Sequence, residues 1–224
     1  MTAPIPKRAA FEAIARELAA RHTAWDVPHR LYALHLESDG RIGVGAERPI
    51  ELKVAPDAIP QVIMKMASKH IGKLGSDATV ICGWALAYEA FGVTHEKGRA
   101  DMTPEERAQF DRDVRARRLY TREDAKETAM TIVADLRGRC WLTYQARGQE
   151  SDIDVSFCGT QLLPGDGGQV DGRFAVAMRA IGFATASAVH GLPIPGGWHL
   201  PGADGKRATP SWLPTQTAAP GWLN

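Results

Sequence analysis

This 224-residue sequence lacks several features that would assign a cell location or a chemistry at once. No run of about 18 apolar residues occurs, which argues against a transmembrane helix. The N-terminus has no apolar segment typical of a secretory signal peptide. The formal net charge is only +1, so no overall field draws the chain to DNA or to an anionic membrane. We therefore expect a cytoplasmic protein that binds neither membranes nor nucleic acid.

Cysteine is scarce, and its spacing is not that of a paired framework. Cys82, Cys140 and Cys158 are an odd number, without the close pairs of a disulfide scaffold or a zinc site. Cys82 and Cys140 fall in apolar stretches, where we expect inert core thiols. None of the seven histidines lies four residues from another, as in a zinc-binding helix. No metal site is predicted from these spacings, and a site around His95 is left as an alternative.

The composition that is present is that of a globular protein, with 44% hydrophobic and 24% charged residues. Helical and alternating patterns follow one another through residues 1–191. This order predicts a single α+β domain with a mainly antiparallel sheet of hairpins, packed with two or three helices. Residues 95–127 are dense in charge and are predicted to be a helical insertion. Residues 192–224 are rich in proline and glycine and are predicted to be an extended tail.

Two hairpins carry the prediction of a sheet. Alternating runs at 31–36 and 42–44 flank Asp39-Gly40, a pair that favours a type I′ turn. A second pair of runs, 130–135 and 139–145, flanks another short turn. Residues 78–93 fit both a strand and a helix, and their alternation favours a long strand. Further strands are predicted at residues 50–54 and 153–157.

Helices are predicted where apolar residues recur at three- and four-residue steps. One such pattern covers residues 11–19, and another covers residues 57–71 with Asp57 as its N-cap. Thr103-Pro104-Glu105-Glu106 is typical of a helix start, because it combines a capping box with proline in the first turn. A last helix is predicted to begin after Asp171.

Two core-strand segments carry a resemblance to other sequences. The segments "GWALAYEAFGV" and "TAMTIVADLRGRCWLTYQARG", separated by the charged insertion, resemble hypothetical proteins carried by actinobacteria and their phages. The resemblance covers about residues 30–147. It implies an actinobacterial or phage origin, and it implies no activity and no catalytic residue, because that group has no assigned function.

One strand pattern is typical of an enzyme. In Ser151-Asp152-Ile153-Asp154, two carboxylates two residues apart fall on the same strand face. Nucleotidyltransferases of the polymerase-β type use such a pair to hold Mg²⁺ against nucleotide phosphates. Those enzymes also have Gly-Ser at the end of the preceding strand, and here that position reads Tyr144-Gln145. The alternative is an ordinary row of polar side chains on the solvent face of an antiparallel strand.

The tail contains three of the six tryptophans of the chain, and two of them share a Pro-x-Trp-Leu phrase. Tryptophan and leucine side chains bury a large apolar area, so we expect them to be anchored. The pocket that receives them belongs either to this chain or to a partner. The anchors predicted are Trp198, Trp212, Leu213, Trp222 and Leu223.

The leading hypothesis is therefore a non-enzymatic binding or assembly protein that docks on a protein partner or a neighbouring subunit through its tail. The alternative is a divergent nucleotidyltransferase-like enzyme with Mg²⁺ held by Asp152 and Asp154.

Overall fold

The computed structural model describes residues 6–45, 49–69, 80–93, 102–116, 118–148, 153–159, 172–192, 200–201 and 207–208. Over these residues the chain has an α+β fold, as predicted, with helices packed against a curled antiparallel sheet. The helices are α1 (Arg8–Ala20), α2 (Ile59–Lys69), α3 (Pro104–Arg115) and α4 (Gly172–His190). The strands of the main sheet are β1 (His29–Leu36), β2 (Ile42–Val44), β3 (Ile50–Leu52), β4 (Ile81–Val93), β5 (Ala125–Asp135), β6 (Cys140–Ala146) and β7 (Asp154–Gly159).

The main sheet has seven strands in the order β2-β1-β4-β5-β6-β7, and β3 also pairs with β1. The long strand predicted over residues 78–93 is confirmed as β4, which lies between β1 and β5 at the centre. Its register with β5 runs without a break from Gly83 opposite Asp135 to Val93 opposite Ala125. The charged insertion that holds α3 therefore connects two neighbouring central strands at one end of the sheet.

The sheet separates two hydrophobic cores. Helices α2 and α4 pack on one face, where Trp84, Leu86 and Met178 are among the buried residues. Helix α1 crosses the other face, where Phe11 stacks on Trp141 with ring centroids 4.7 Å apart. The period-two pattern of the central strands explains this division, since alternate side chains point to opposite faces.

The first hairpin forms as predicted, but the type I′ turn is wrong. Gly40 has a φ of +83°, whereas Asp39 does not have the positive φ that type I′ requires. Glu37 and Arg41 close a three-residue loop, in which the Gly40 N–H donates to the Glu37 carbonyl at 3.0 Å. This is a type I turn followed by a left-handed glycine. The Asp39 carboxylate is used instead as an acceptor for the Arg41 backbone N–H at 3.0 Å.

The two helix starts that the sequence marks with a cap have different outcomes. The capping box is confirmed, because the Thr103 N–H donates to Glu106 Oε2 at 2.8 Å and the Glu106 N–H donates to Thr103 Oγ1 at 3.2 Å. The N-cap at Asp57 is wrong. Asp57 lies inside a 3₁₀ turn, Pro56–Ala58, whose own cap is Ala55 and which leads directly into α2. Asp171, after which the last helix is predicted to begin, lies outside the described residues, and α4 is described from Gly172.

Beyond α4, the structure describes Gly191 and Leu192, which close the end of the helix, and a two-residue ladder of β8 (Leu200–Pro201) with β9 (Arg207–Ala208). None of the described helices has the length and apolar character needed to cross a membrane.

Candidate functional site

The site residues predicted from the sequence are mostly outside the described part of the chain. Asp154 is described: it opens the edge strand β7 opposite Tyr144, with its side chain exposed. Asp152 is not described, so the Mg²⁺ pair stays a prediction. The tail anchors also lie outside the described residues, namely Trp198, Trp212, Leu213, Trp222 and Leu223.

A different set of carboxylates converges at the end of the central strands. Asp26 lies in the loop after α1, Glu89 lies on β4 and Glu127 lies on β5. One oxygen from each side chain lies within 4.8 Å of the other two. Glu89 and Glu127 meet because the register places Ala129 opposite Glu89 and Glu127 opposite Phe91, which makes the two glutamates diagonal neighbours on one face. We call these three residues the acidic cluster.

Glu89 fixes the loop that carries Asp26. Its side chain is only 10% exposed, and its Oε2 accepts the Asp26 N–H at 3.0 Å, while Oε1 lies 3.5 Å from the Val27 N–H. Asp26 has a φ of +62°, in the left-handed region that glycine adopts freely and that aspartate and asparagine adopt more often than other residues. The buried carboxylate thus holds the left-handed loop conformation that presents Asp26 to the cluster.

His22 adjoins the cluster from the C-terminal end of α1. Its side chain is 10% exposed, and its Nε2 lies 3.1 Å from Glu89 Oε1. The buried Nε2 makes no hydrogen bond, so the two atoms are at ion-pair distance without hydrogen-bond alignment. The Trp25 ring lies edge-on to the imidazole, with centroids 5.2 Å apart, and covers it.

Arg147 closes the outer side of the cluster. Its guanidinium pairs with Glu127 Oε2, and its Nη2 lies 3.7 Å from Asp26 Oδ2. The same guanidinium lies 5.1 Å from the centroid of the Trp25 ring, within cation–π range. The hydrogen bond to Glu127 raises the pKa of Arg147 above its usual value. The side chain is nevertheless 48% exposed, so it can leave the cluster without crossing packed core.

A small cleft lies beside Glu89 and His22, and its lining includes Tyr32 and the two basic residues Arg21 and Arg30. It has room for about one water-sized molecule. A cleft of this size accommodates an ion or a water and is too small for an organic substrate.

An exposed aromatic pair lies at the same end of the sheet. Phe91, near the end of β4, is 48% exposed, and Tyr120, in a 3₁₀ turn after α3, is 61% exposed. Their ring centroids are 6.2 Å apart. We call these two residues the aromatic surface.

The predicted core thiols are confirmed as buried. Cys82 and Cys140 are each about 1% exposed, and neither forms a disulfide with another described residue. Burial raises the pKa of the Cys82 thiol to about 12, which keeps it protonated and unreactive at neutral pH.

No known family model, no curated protein and no solved structure matches this chain.

Sequence reasoning missed the acidic cluster. One signal for it was present: Glu89 is the only charged residue in the apolar run from Ile81 to Val93, and alternation places it on the same face as the buried Ala85. A carboxylate directed to the covered face of a central strand indicates a specific partner, because an unpaired buried charge is costly.

Proposed function

We propose that this protein is a cytoplasmic binding protein that assembles with copies of itself, the Trp-Leu anchors of one tail docking on the aromatic surface of another copy. The exposure of Phe91 and Tyr120 is the observation that carries the proposal. Two adjacent aromatic rings that remain in water lose apolar exposure when a partner covers them, and interface cores are enriched in such residues.

The surroundings of the aromatic surface support a docking role. Phe91 lies directly opposite Glu127, which pairs with Arg147, so charged side chains border the rings. An apolar centre with a polar rim is the usual composition of a protein interface. The charged insertion contributes to this surface, because the chain runs from α3 to the turn that places Tyr120 beside the end of β4.

The tail has the chemistry to cover this surface and the length to reach it. His190, the last residue of α4, has its Nε2 3.0 Å from the carbonyl oxygen of Ile81, at the start of β4. Phe91 lies about 33 Å further along the strand, at about 3.3 Å per residue. Because Leu200 pairs with Ala208, the chain from residue 193 to Trp212 spans at most about 45 Å. Reach therefore permits docking within one chain or between chains.

The two anchors of each tail outnumber the surface that receives them. Each tail carries two Trp-Leu anchors, at Trp212 and Trp222, whereas the described part of the chain offers one exposed aromatic pair. In an assembly of identical chains this ratio stays two to one. One anchor of each tail therefore docks on an aromatic surface, and the other is left for a second contact between copies.

The test compares oligomeric state by light scattering in the full chain, in a chain that ends at Ala208, and in Phe91→Ala with Tyr120→Ala. We expect the full chain to be dimeric or larger, and both variants to become monomeric while their circular dichroism stays unchanged. Val54→Ala is the matched control, because it removes exposed apolar surface on another element (Val54 is 36% exposed). This control should assemble like the full chain.

Three results would overturn the proposal. A monomeric full chain would exclude assembly, and a truncated chain that unfolds would show that the tail covers its own core. Assembly that survives the loss of both Phe91 and Tyr120 would place the interface elsewhere.

A further inference from the structure

We infer that the acidic cluster of Asp26, Glu89 and Glu127 binds one divalent transition-metal cation, with His22 as a nitrogen ligand. The fold brings one oxygen of each carboxylate within 4.8 Å of the others, from three elements that are far apart in the sequence. Negative charges at this distance repel one another unless a cation lies among them. Arg147 supplies one positive charge against three negative charges, so the cluster keeps the negative potential that attracts a divalent cation.

His22 is the observation that points to a metal in particular. Its side chain is nine-tenths buried, its Nε2 lies 3.1 Å from Glu89 Oε1, and that atom has no hydrogen bond among the residues that the structure describes. Donor atoms that share one metal ion lie about 3.0–3.4 Å apart, because each metal–ligand bond is about 2.0–2.2 Å long. His22 and Glu89 therefore already have the spacing of two ligands of one ion.

The remaining ligands have the freedom to close on an ion. The Asp26 side chain is 78% exposed and lies on a loop, so its carboxylate can move toward Glu89. The small cleft beside Glu89 and His22 has room for the water molecule that a metal with protein ligands commonly retains. A set of one imidazole and three carboxylates suits Mn²⁺ or Zn²⁺, whereas Ca²⁺ and Mg²⁺ prefer oxygen ligands alone.

Arg147 acts as an internal competitor for the metal. Its guanidinium occupies Glu127 and approaches Asp26, the two outer carboxylates of the cluster. A metal ion that binds these oxygens has to displace the Arg147 guanidinium, which then moves onto the Trp25 ring or into solvent. Removal of Arg147 should therefore strengthen metal binding. If the acidic cluster had only a structural role, removal of Arg147 would leave carboxylates unpaired and would not increase the affinity for a metal ion.

The experiment measures Mn²⁺ binding to the full chain from the loss of the free-ion electron paramagnetic resonance signal. We expect one Mn²⁺ per chain. Asp26→Asn should weaken binding by about tenfold or more, since loss of a group that only orients a metal ligand already costs about that factor. Asparagine tolerates the left-handed φ of Asp26, so this variant keeps the loop. Arg147→Gln should strengthen binding by about tenfold, about 1.4 kcal/mol.

Two further variants complete the design. Glu51→Gln removes one exposed carboxylate, paired with Lys53, from another part of the surface and should leave Mn²⁺ binding unchanged. His22→Gln should weaken Mn²⁺ binding and reduce the preference for Mn²⁺ over Mg²⁺. The inference is overturned if Mn²⁺ does not bind at a single saturable site, if Arg147→Gln binds it no better than the native chain, or if Glu51→Gln weakens it as much as Asp26→Asn. Light scattering of the same samples measures the oligomeric state independently of Mn²⁺ binding. A failure of the metal site can therefore be distinguished from a failure of the assembly proposal.

Discussion

Trp84 and Thr185 join the central strand to the last helix through a hydrogen bond inside the core. Trp84 Nε1 donates to Thr185 Oγ1 at 2.8 Å, and Thr185 Oγ1 in turn donates to the carbonyl of Ile181 at 2.8 Å. Trp84 is 3% exposed and Thr185 is fully buried. The Thr185 hydroxyl thus accepts the hydrogen bond of an indole N–H that is buried between β4 and α4.

Thr185→Val should destabilise the fold by about 1–3 kcal/mol, because it keeps the shape of the side chain and leaves the Trp84 N–H without an acceptor. Urea unfolding measures the change in the free energy of unfolding. Trp84→Phe is the matched background, since it removes the donor. Thr185→Val should cost clearly less in Trp84→Phe than in the native chain, and equal costs in the two backgrounds would show that the hydrogen bond is not the cause.

Two hairpin glycines with nearly the same backbone angle should respond differently to alanine. Gly40 has a φ of +83° and Gly138 has a φ of +79°, so both substitutions meet the left-handed strain of about 1–2 kcal/mol. A Cβ at position 138 would also lie 2.5 Å from Cζ of Phe183, whereas a Cβ at position 40 would have no heavy atom within 4 Å. The difference in stability between the two alanine variants therefore measures the clash with Phe183 of α4 separately from the backbone strain.

We expect Gly138→Ala to cost about 1–3 kcal/mol more than Gly40→Ala, which is the range for overpacking a core. Thermal or urea unfolding of the two variants gives the comparison. Phe183→Leu combined with Gly138→Ala should recover part of the loss, because the shorter side chain leaves room for the methyl group. If the two alanine variants are equally stable, the contact with Phe183 does not contribute to the destabilisation caused by Gly138→Ala.

Elements with a local signal could be predicted from the sequence. The first hairpin follows from the alternating runs around Asp39-Gly40, and the start of α3 follows from the spacing of Thr103 and Glu106. Each of these signals involves residues within a few positions of one another. The type I′ turn was wrong because the Asp39 side chain bonds to the Arg41 N–H, which competes with the backbone geometry expected from Asp-Gly.

The acidic cluster could not be predicted in the same way. Asp26 and Glu89 are 63 positions apart, and Glu127 approaches them only because β5 pairs with β4 in one particular register. That register depends on the packing of α1 and α4 on the two faces, and no local pattern specifies it. The buried Glu89 indicated that a partner exists, but only the topology identifies it.

Thr103→Ala should loosen α3 without affecting the sheet. The variant removes the acceptor of the Glu106 N–H, and the loss of an N-cap costs about 0.5–2 kcal/mol of local helix stability. Hydrogen exchange should become faster over residues 104–115 and stay unchanged in β4 and β5. Thr103→Ser retains a hydroxyl and should behave like the native chain. Faster exchange in β4 as well would mean that α3 supports the central strands.

The Cys82 thiol should be inert in the folded chain and should make stability depend on pH in the alkaline range. Its folded pKa, about 12, lies above the ordinary value of 9.0 because burial disfavours the thiolate. The folded state therefore holds the proton more tightly than the unfolded state. The resulting contribution to stability is fully present below about pH 9 and is lost as the pH rises toward about 12.

Two measurements check this behaviour. Iodoacetamide followed by mass spectrometry at mildly alkaline pH should leave Cys82 unmodified in native protein and modify it in urea. Unfolding of Cys82→Ala should show a smaller loss of stability above about pH 9 than the native chain, because the alanine variant has no thiol to ionise. Rapid alkylation of native Cys82 would contradict its place in the core beneath α1, and an identical alkaline loss in both chains would assign the pH dependence to another group.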